Sequence, residues 1–274
     1  MTHLFNLKSS AYGLALFSFF CTCFGWSQSD TKGKVDTLTI KNSSGTVAKK
    51  LWIYLPRNYE RNHKKYPVIY MTDGQNLFEA GHGYGGEWRV DETLDSLKAK
   101  VIVVGIEHGG SERINELTPW PHAKYGGGKA DEMLTFLTET IKPYVDGHFR
   151  TKSNASHTAI MGSSLGGLFA LFATLKHPTI FGKAAVLSPA IWINRDPILG
   201  LINQQKSNET RYFFSCGDAE GDPDMIPDMQ EAIKRIHRLR CYCLHADKKV
   251  IYPGAKHSET QWVKAFRDAY LWLY

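Results

Sequence analysis

The chain has 274 residues, of which 43% are hydrophobic, an ordinary value for a globular protein that excludes a disordered or fibrous chain. Lysine and arginine outnumber aspartate and glutamate by 33 to 27, giving a formal net charge of +6 without any basic run, so no nucleic-acid partner is implied. No apolar stretch reaches the ~20 residues that span a bilayer.

The first feature in chain order is a leader. Lys8 precedes an apolar run from Ala11 to Phe24 that ends in small and polar residues, the pattern of a secretory signal. Gly25 and Ser27 meet the small-residue rule three and one positions before a cut, so cleavage is expected between Ser27 and Gln28. Neither Cys21 nor Cys23 follows the aliphatic and small residues of a lipoprotein site. Residues 28–274 are expected to form one α/β domain, periplasmic or secreted, with no stable membrane anchor once the leader is cut. Loss of Lys8 lowers the net charge by one unit. Three cysteines remain, Cys216, Cys241 and Cys243. One disulfide among them is allowed but not required. Cys241 and Cys243 alternate as on one face of a strand, and with no histidine at ligand spacing, buried thiols fit better than a metal site.

Val35 to Ile40 and Val47 to Leu55 read as an antiparallel meander. Short apolar runs follow at Tyr66 to Met71, Val101 to Ile106, Thr158 to Met161, Lys183 to Leu187, Tyr212 to Cys216 and Cys241 to Leu244, the pattern of strands buried on both faces. Between them lie helical stripes: Met133, Leu134, Leu137 and Ile141, stopped by Pro143; Leu165, Leu168, Phe169, Phe172 and Leu175; and Trp262, Val263, Phe266 and Tyr270. Strands first, then β and α in alternation, predict a mostly parallel, doubly wound α/β sheet with antiparallel N-terminal edge strands.

Gly162-Ser163-Ser164-Leu165-Gly166 stands between the apolar run ending at Met161 and the second stripe. That is the strand, sharp turn and helix of a nucleophile elbow, with Ser164 at its apex, and it points to the α/β-hydrolase fold. The turn is tight enough that side chains two positions before or after the nucleophile would collide with neighbouring atoms, which explains Gly162 and Gly166. A serine hydroxyl is a weak nucleophile at neutral pH and needs an imidazole to take its proton, with a carboxylate to set the imidazole's tautomer. The chain order in this fold is serine, acid, histidine. His257 follows the strand-like Val250 to Tyr252 and the loop Pro253 to Lys256. Ser258 and Gln261 directly after it match a capping box that starts the last helix. The acid is expected after the strand Tyr212 to Cys216, where Asp218, Glu220, Asp222 and Asp224 all stand, with Asp196 further upstream.

Val68 through Phe78 (VIYMTDGQNLF), Glu87 through Glu92, Arg113 through Pro119, Gly162 through Gly167 and Pro253 through Trp262 together resemble the Putative esterase family. It includes enterochelin and related siderophore esterases, esterase D, feruloyl and acetylxylan esterases, and mycolyltransferases. The resemblance runs from about Val47 to the end of the chain. It implies an acid three residues after the glycine that closes its strand, here Gly217, and so selects Glu220. It also implies an oxyanion hole made by the backbone N–H groups of Leu165 and Gln75, a placement that fits the need for donors facing the developing negative oxygen.

Arg113 and Glu116 sit at the C-terminal strand edge, where ligands bind in such sheets. Arg113 is read as a pocket residue, with Glu116 its partner if it is instead a surface ion pair. Trp88, Trp120, His122 and Trp192 are loop aromatics that would line an aryl-binding cleft, the alternative being that the scattered tryptophans are packing residues. The expected activity is serine-dependent hydrolysis of a carboxylic ester on a small molecule or a polysaccharide, first of all a siderophore trilactone. Alternatives are a feruloyl or acetyl-xylan ester, acyl transfer by the same triad, or an inactive relative that only binds. No cofactor or metal is implied.

Overall fold

A computed structural model describes residues 32–42, 45–81, 85–207, 209–240 and 247–274. Its strands are β1 (Lys34–Lys41), β2 (Ala48–Leu55), β3 (Val68–Thr72), β4 (Ile102–Ile106), β5 (Thr158–Ser163), β6 (Lys183–Leu187), β7 (Arg211–Gly217) and β8 (Lys248–Tyr252). They form one sheet in the order β1-β2-β4-β3-β5-β6-β7-β8. β1 pairs antiparallel with β2, and β2 with β4, while every later pairing is parallel. This is the expected α/β sheet. The expected leader and the run Cys241 to Leu244 lie outside the described residues, and the expected strand Val250 to Tyr252 is part of β8, which pairs with β7.

Alternating residues send each parallel strand into two cores, as parallel sheets require. On one face Ile160, Ala184, Tyr212 and Phe214 join the helices α3 (Ala130–Phe136), α4 (Lys142–His148), α5 (Leu165–Lys176), α6 (Arg195–Gln204) and α7 (Met225–Arg238). On the other, Met161, Ala185 and Phe213 meet α1 (Val90–Ser96) and α8 (Glu259–Leu273). A short helix, α2 (Arg113–Leu117), follows β4. Among the described residues no helix is long and apolar enough to cross a membrane. Cys216 is a buried free thiol, pushed up to about 12 by burial and then by Glu220.

Two helical expectations change. Pro143 does not stop its helix: a π-turn over Leu137–Ile141 precedes it and Pro143 sits in the first turn of α4, where a missing N–H costs least. The stripe on α5 is not one face, since every residue from Gly166 to Leu175 is buried. A helix enclosed by sheet and neighbours is apolar all round, and periodicity then carries no signal.

Candidate active site

β5 runs directly into α5, and the residue at the junction, Ser164, has φ 57° and ψ −122°, a backbone state disfavoured for a non-glycine residue. The neighbouring glycines make this turn sterically open. A Cβ at Gly162 would stand 2.5 Å from the carbonyl of Gly166 and from Thr72 Oγ1, and one at Gly166 would collide with the same hydroxyl. The serine is therefore thrust outward from the C-terminal edge of the sheet, with the start of α5 beneath it.

The two residues expected to act with Ser164 follow β7 and β8. Glu220 lies three residues past the end of β7, and its side chain is 1% exposed. Its Oε2 stands 2.8 Å from Nδ1 of His257, on the loop between β8 and α8, whose side chain is 32% exposed. Oε1 accepts hydrogen bonds from the backbone N–H of Gly217 at 2.5 Å, from Ser188 Oγ at 2.7 Å and from Gln261 Nε2 at 2.9 Å. Burial raises the Glu220 carboxyl, but the hydrogen bonds from His257, Gly217, Ser188 and Gln261 outweigh it and hold the group below its usual range. A carboxylate beside Nδ1 fixes the proton there and leaves Nε2 as an acceptor. Ser164 and His257 line the same two cavities, of about 530 and 480 Å³. No hydrogen bond joins them in the free protein, and such contacts commonly close only around substrate.

Two other carboxylates of this loop have backbone partners of their own, although Asp222 also borders the larger cavity. Asp218 accepts from the backbone of Gly254, and Asp222 from that of Asp224. Asp196 is solvent-exposed on α6. Gln261 does not complete a capping box with Ser258, because its amide is engaged by Glu220.

The N–H of Leu165 opens α5 and so has no acceptor within the helix. Gln75 lies in a single turn after β3, entered through Asp73 at φ 58°. Neither N–H is donated to another backbone carbonyl. Asp73 is buried and holds Arg113 through two contacts, Nε to Oδ1 at 2.6 Å and Nη2 to Oδ2 at 3.0 Å. The ion partner of Arg113 is thus Asp73, while Glu116 pairs with Lys49 at 2.5 Å. Arg113 still borders both cavities, its charge matched from behind. His108 beside it is lowered by burial, and its Nδ1 accepts from the N–H of Gly110, which leaves the proton on Nε2.

The larger cavity carries the aromatics. Trp192 and Tyr125 are 41% and 44% exposed and meet edge to face at 5.6 Å, and His122 stacks on Tyr125 at 5.0 Å. Of the expected aryl-binding residues, Trp192 lies on this wall and His122 behind it. Trp88 does not: it is 1% exposed and packs against Trp262 in the core, drawn there by its large apolar ring. Trp120 packs edge-on against Phe172. Tyr125, Ile193 and Met225, unremarked in the sequence, complete the wall. Tyr125 carried a signal, since it directly precedes three glycines, all at positive φ, that bend its loop back.

The family model described as "Putative esterase" matches residues 47–273. The chain belongs to this esterase family. Membership places it among the carboxylic ester hydrolases. The esterase is 28% identical over 243 residues to an uncharacterized protein, YbbA, of Bacillus subtilis (strain 168), covering 81% of this chain and 91% of that one. It is 33% identical over 225 residues to the siderophore triacetylfusarinine C esterase of Aspergillus fumigatus, covering 70% and 76% respectively. A solved ferulic acid esterase superposes with a TM-score of 0.68 at 17% identity, covering 88% of this esterase and 98% of that chain, a likeness of fold.

Proposed function

We propose that this esterase opens the ester linkages of a siderophore through an acyl-enzyme formed on Ser164, with His257 as general base and Glu220 as the acid that orients it. The observation that carries the chemistry is the contact of 2.8 Å between Glu220 and His257 beside a strained, outward-facing serine. His257 Nε2 takes the proton from Ser164 Oγ as the oxygen attacks the ester carbonyl carbon. The oxygen that becomes negative is met by the N–H groups of Leu165 and Gln75, and loss of one such donor typically costs about 10²–10³ in turnover. Collapse of the intermediate expels the alcohol, which receives the proton from His257. Water, activated by the same imidazole, then releases the acid and restores the serine.

The substrate assignment is supported by the 33% identity to a siderophore esterase and by the exposed Trp192–Tyr125 pair beside Ser164. The same aromatic wall favours a second reading, a feruloyl ester of a polysaccharide, since it would stack any planar acyl ring. Either role suits the periplasmic or secreted location proposed from the leader. A panel of catecholate-trilactone, feruloyl, acetyl and simple aryl esters, assayed with Ser164→Ala as control, tests the assignment. Highest kcat/KM on the trilactone is expected. Preference for the feruloyl ester selects the second reading, and undiminished turnover by Ser164→Ala removes both.

A further inference from the structure

Ser188 is the residue that directly follows β6, and it is fully buried with φ 42°. A side chain in this left-handed region carries a conformational cost that glycine would not, so a serine here calls for a use of its hydroxyl. The backbone at this point is already secured, since the N–H of Ser188 donates to the carbonyl of Ser215 at 2.6 Å.

The hydroxyl has three partners. Trp262 Nε1 donates to it at 3.0 Å and Gln261 Nε2 at 3.3 Å. An indole N–H and an amide NH₂ are donors only, so the two acceptor positions of the hydroxyl are taken and its single proton is left for Glu220 Oε1, 2.7 Å away. The opposite orientation of the Gln261 amide would set its oxygen against that carboxylate oxygen, which excludes it. Among the described residues Oε1 thus receives three donors, from the end of β7, the end of β6 and the first turn of α8, while Oε2 keeps only His257. The ring of Trp262 also stands edge-on to His257 at 5.0 Å, so the residue that directs the Ser188 hydroxyl also walls the imidazole.

We infer that Ser188 and Gln261 are positioning residues that clamp one oxygen of Glu220 and so reserve the other, in a single orientation, for His257. This rests on the reading of Glu220 as the triad acid. The decisive variant is Ser188→Gly, because glycine adopts the left-handed backbone without strain and removes only the hydroxymethyl group. A backbone role for position 188 predicts an unchanged enzyme. The clamp predicts a melting temperature within a few degrees of wild type, KM within about twofold, and kcat lowered about 10- to 100-fold, the range expected for one hydrogen bond to a charged group. The downfield proton resonance of the His257 Nδ1–H should shift or broaden at the same time, a signature that general loosening of the fold elsewhere would not give. Gln261→Met, which keeps the shape and removes the donor, should change kcat and the resonance in the same direction, and it serves if Ser188→Gly does not fold. Wild-type kcat and an unshifted resonance in either folded variant would overturn the inference. Glu220→Gln run in parallel separates the two levels: collapse there beside normal Ser188→Gly and Gln261→Met removes the clamp alone, whereas normal turnover in Glu220→Gln removes the triad assignment and the clamp with it.

Discussion

The two walls of the cleft are built on different principles. The wall behind His257 is a closed set of hydrogen bonds, in which Glu220 is buried, its Oε1 takes donors from the ends of β6 and β7 and from α8, and its Oε2 faces His257. The opposite wall is apolar contact, with Trp192, from the short turn Ile191–Asn194, set edge to face against Tyr125, whose loop runs on through Gly126, Gly127 and Gly128 at φ 75°, 97° and 99°. Charge that develops in a reaction must be met by dipoles already in place, because their reorganisation would add to the barrier. Recognition of a ring needs only area and tolerates tilt. One enzyme of this design keeps its chemistry fixed and leaves its choice of substrate to the rim.

The sharpest way to break this contrast is Glu220→Gln. It keeps the shape but permits the wrong imidazole tautomer, and kcat should fall about 10⁴-fold, as the equivalent change does in the serine protease that defines this effect. Asp218→Asn and Asp222→Asn, assayed at the same substrate concentrations, should stay within about threefold. An equal loss in all three would mean that loop charge, not one directed bond, sustains the reaction. Next in size is Arg113→Met, which takes the arginine from buried Asp73 beneath the Gln75 turn and leaves that carboxylate only the Thr72 hydroxyl and a more distant His108. Urea unfolding should show a loss of about 3 kcal/mol, and unchanged stability would mean that Asp73 is reached by water.

Trp192→Ala probes the other wall. KM for aryl esters should rise about tenfold with kcat unchanged, while acetyl esters are unaffected, which is the pattern of lost uniform binding. An equal effect on both ester classes would make the wall a structural element. The smallest effect is on stability against pH. A carboxyl held below its ordinary 4.5 in the folded state contributes stability above that value and loses it as pH falls through the lowered one. The gap in melting temperature between wild type and Glu220→Gln should therefore close on acidification, and a gap that stays constant would show that the hydrogen bonds do not discriminate the carboxylate.

Most of the sheet could be read from the chain because its determinants are local. The run Lys183 to Leu187 carries four apolar residues between Gly182 and Ser188-Pro189, and it is β6 with those same bounds. Ser164 was visible for the same reason, since a tight turn needs its glycines at fixed spacing. Glu220 was legible only by resemblance, because four carboxylates share its loop and the choice depends on which one reaches a histidine 37 positions away. Nothing local marks Ser188, or the contact of Gln261 with the acid. Gln261 fits a local capping pattern, but its amide is taken by a carboxylate 41 residues distant and by a hydroxyl 73 residues distant. Trp88 was misplaced because a tryptophan in a loop sequence reads as exposed, and only the packing of α8 against it shows that it is interior.

His257 rides on the loop after β8, which among the described residues pairs only with β7 and stands at the end of the sheet. Its first four residues are partly or wholly exposed. Edge strands fray at lower free energy than central ones. Fraying here parts imidazole from carboxylate while β5, β6 and β7 remain paired, so heat or denaturant should silence the enzyme before it unfolds it. With His257 as the proposed base, the ceiling on working temperature is expected to lie with one strand at the rim of the sheet, not with the depth of its core.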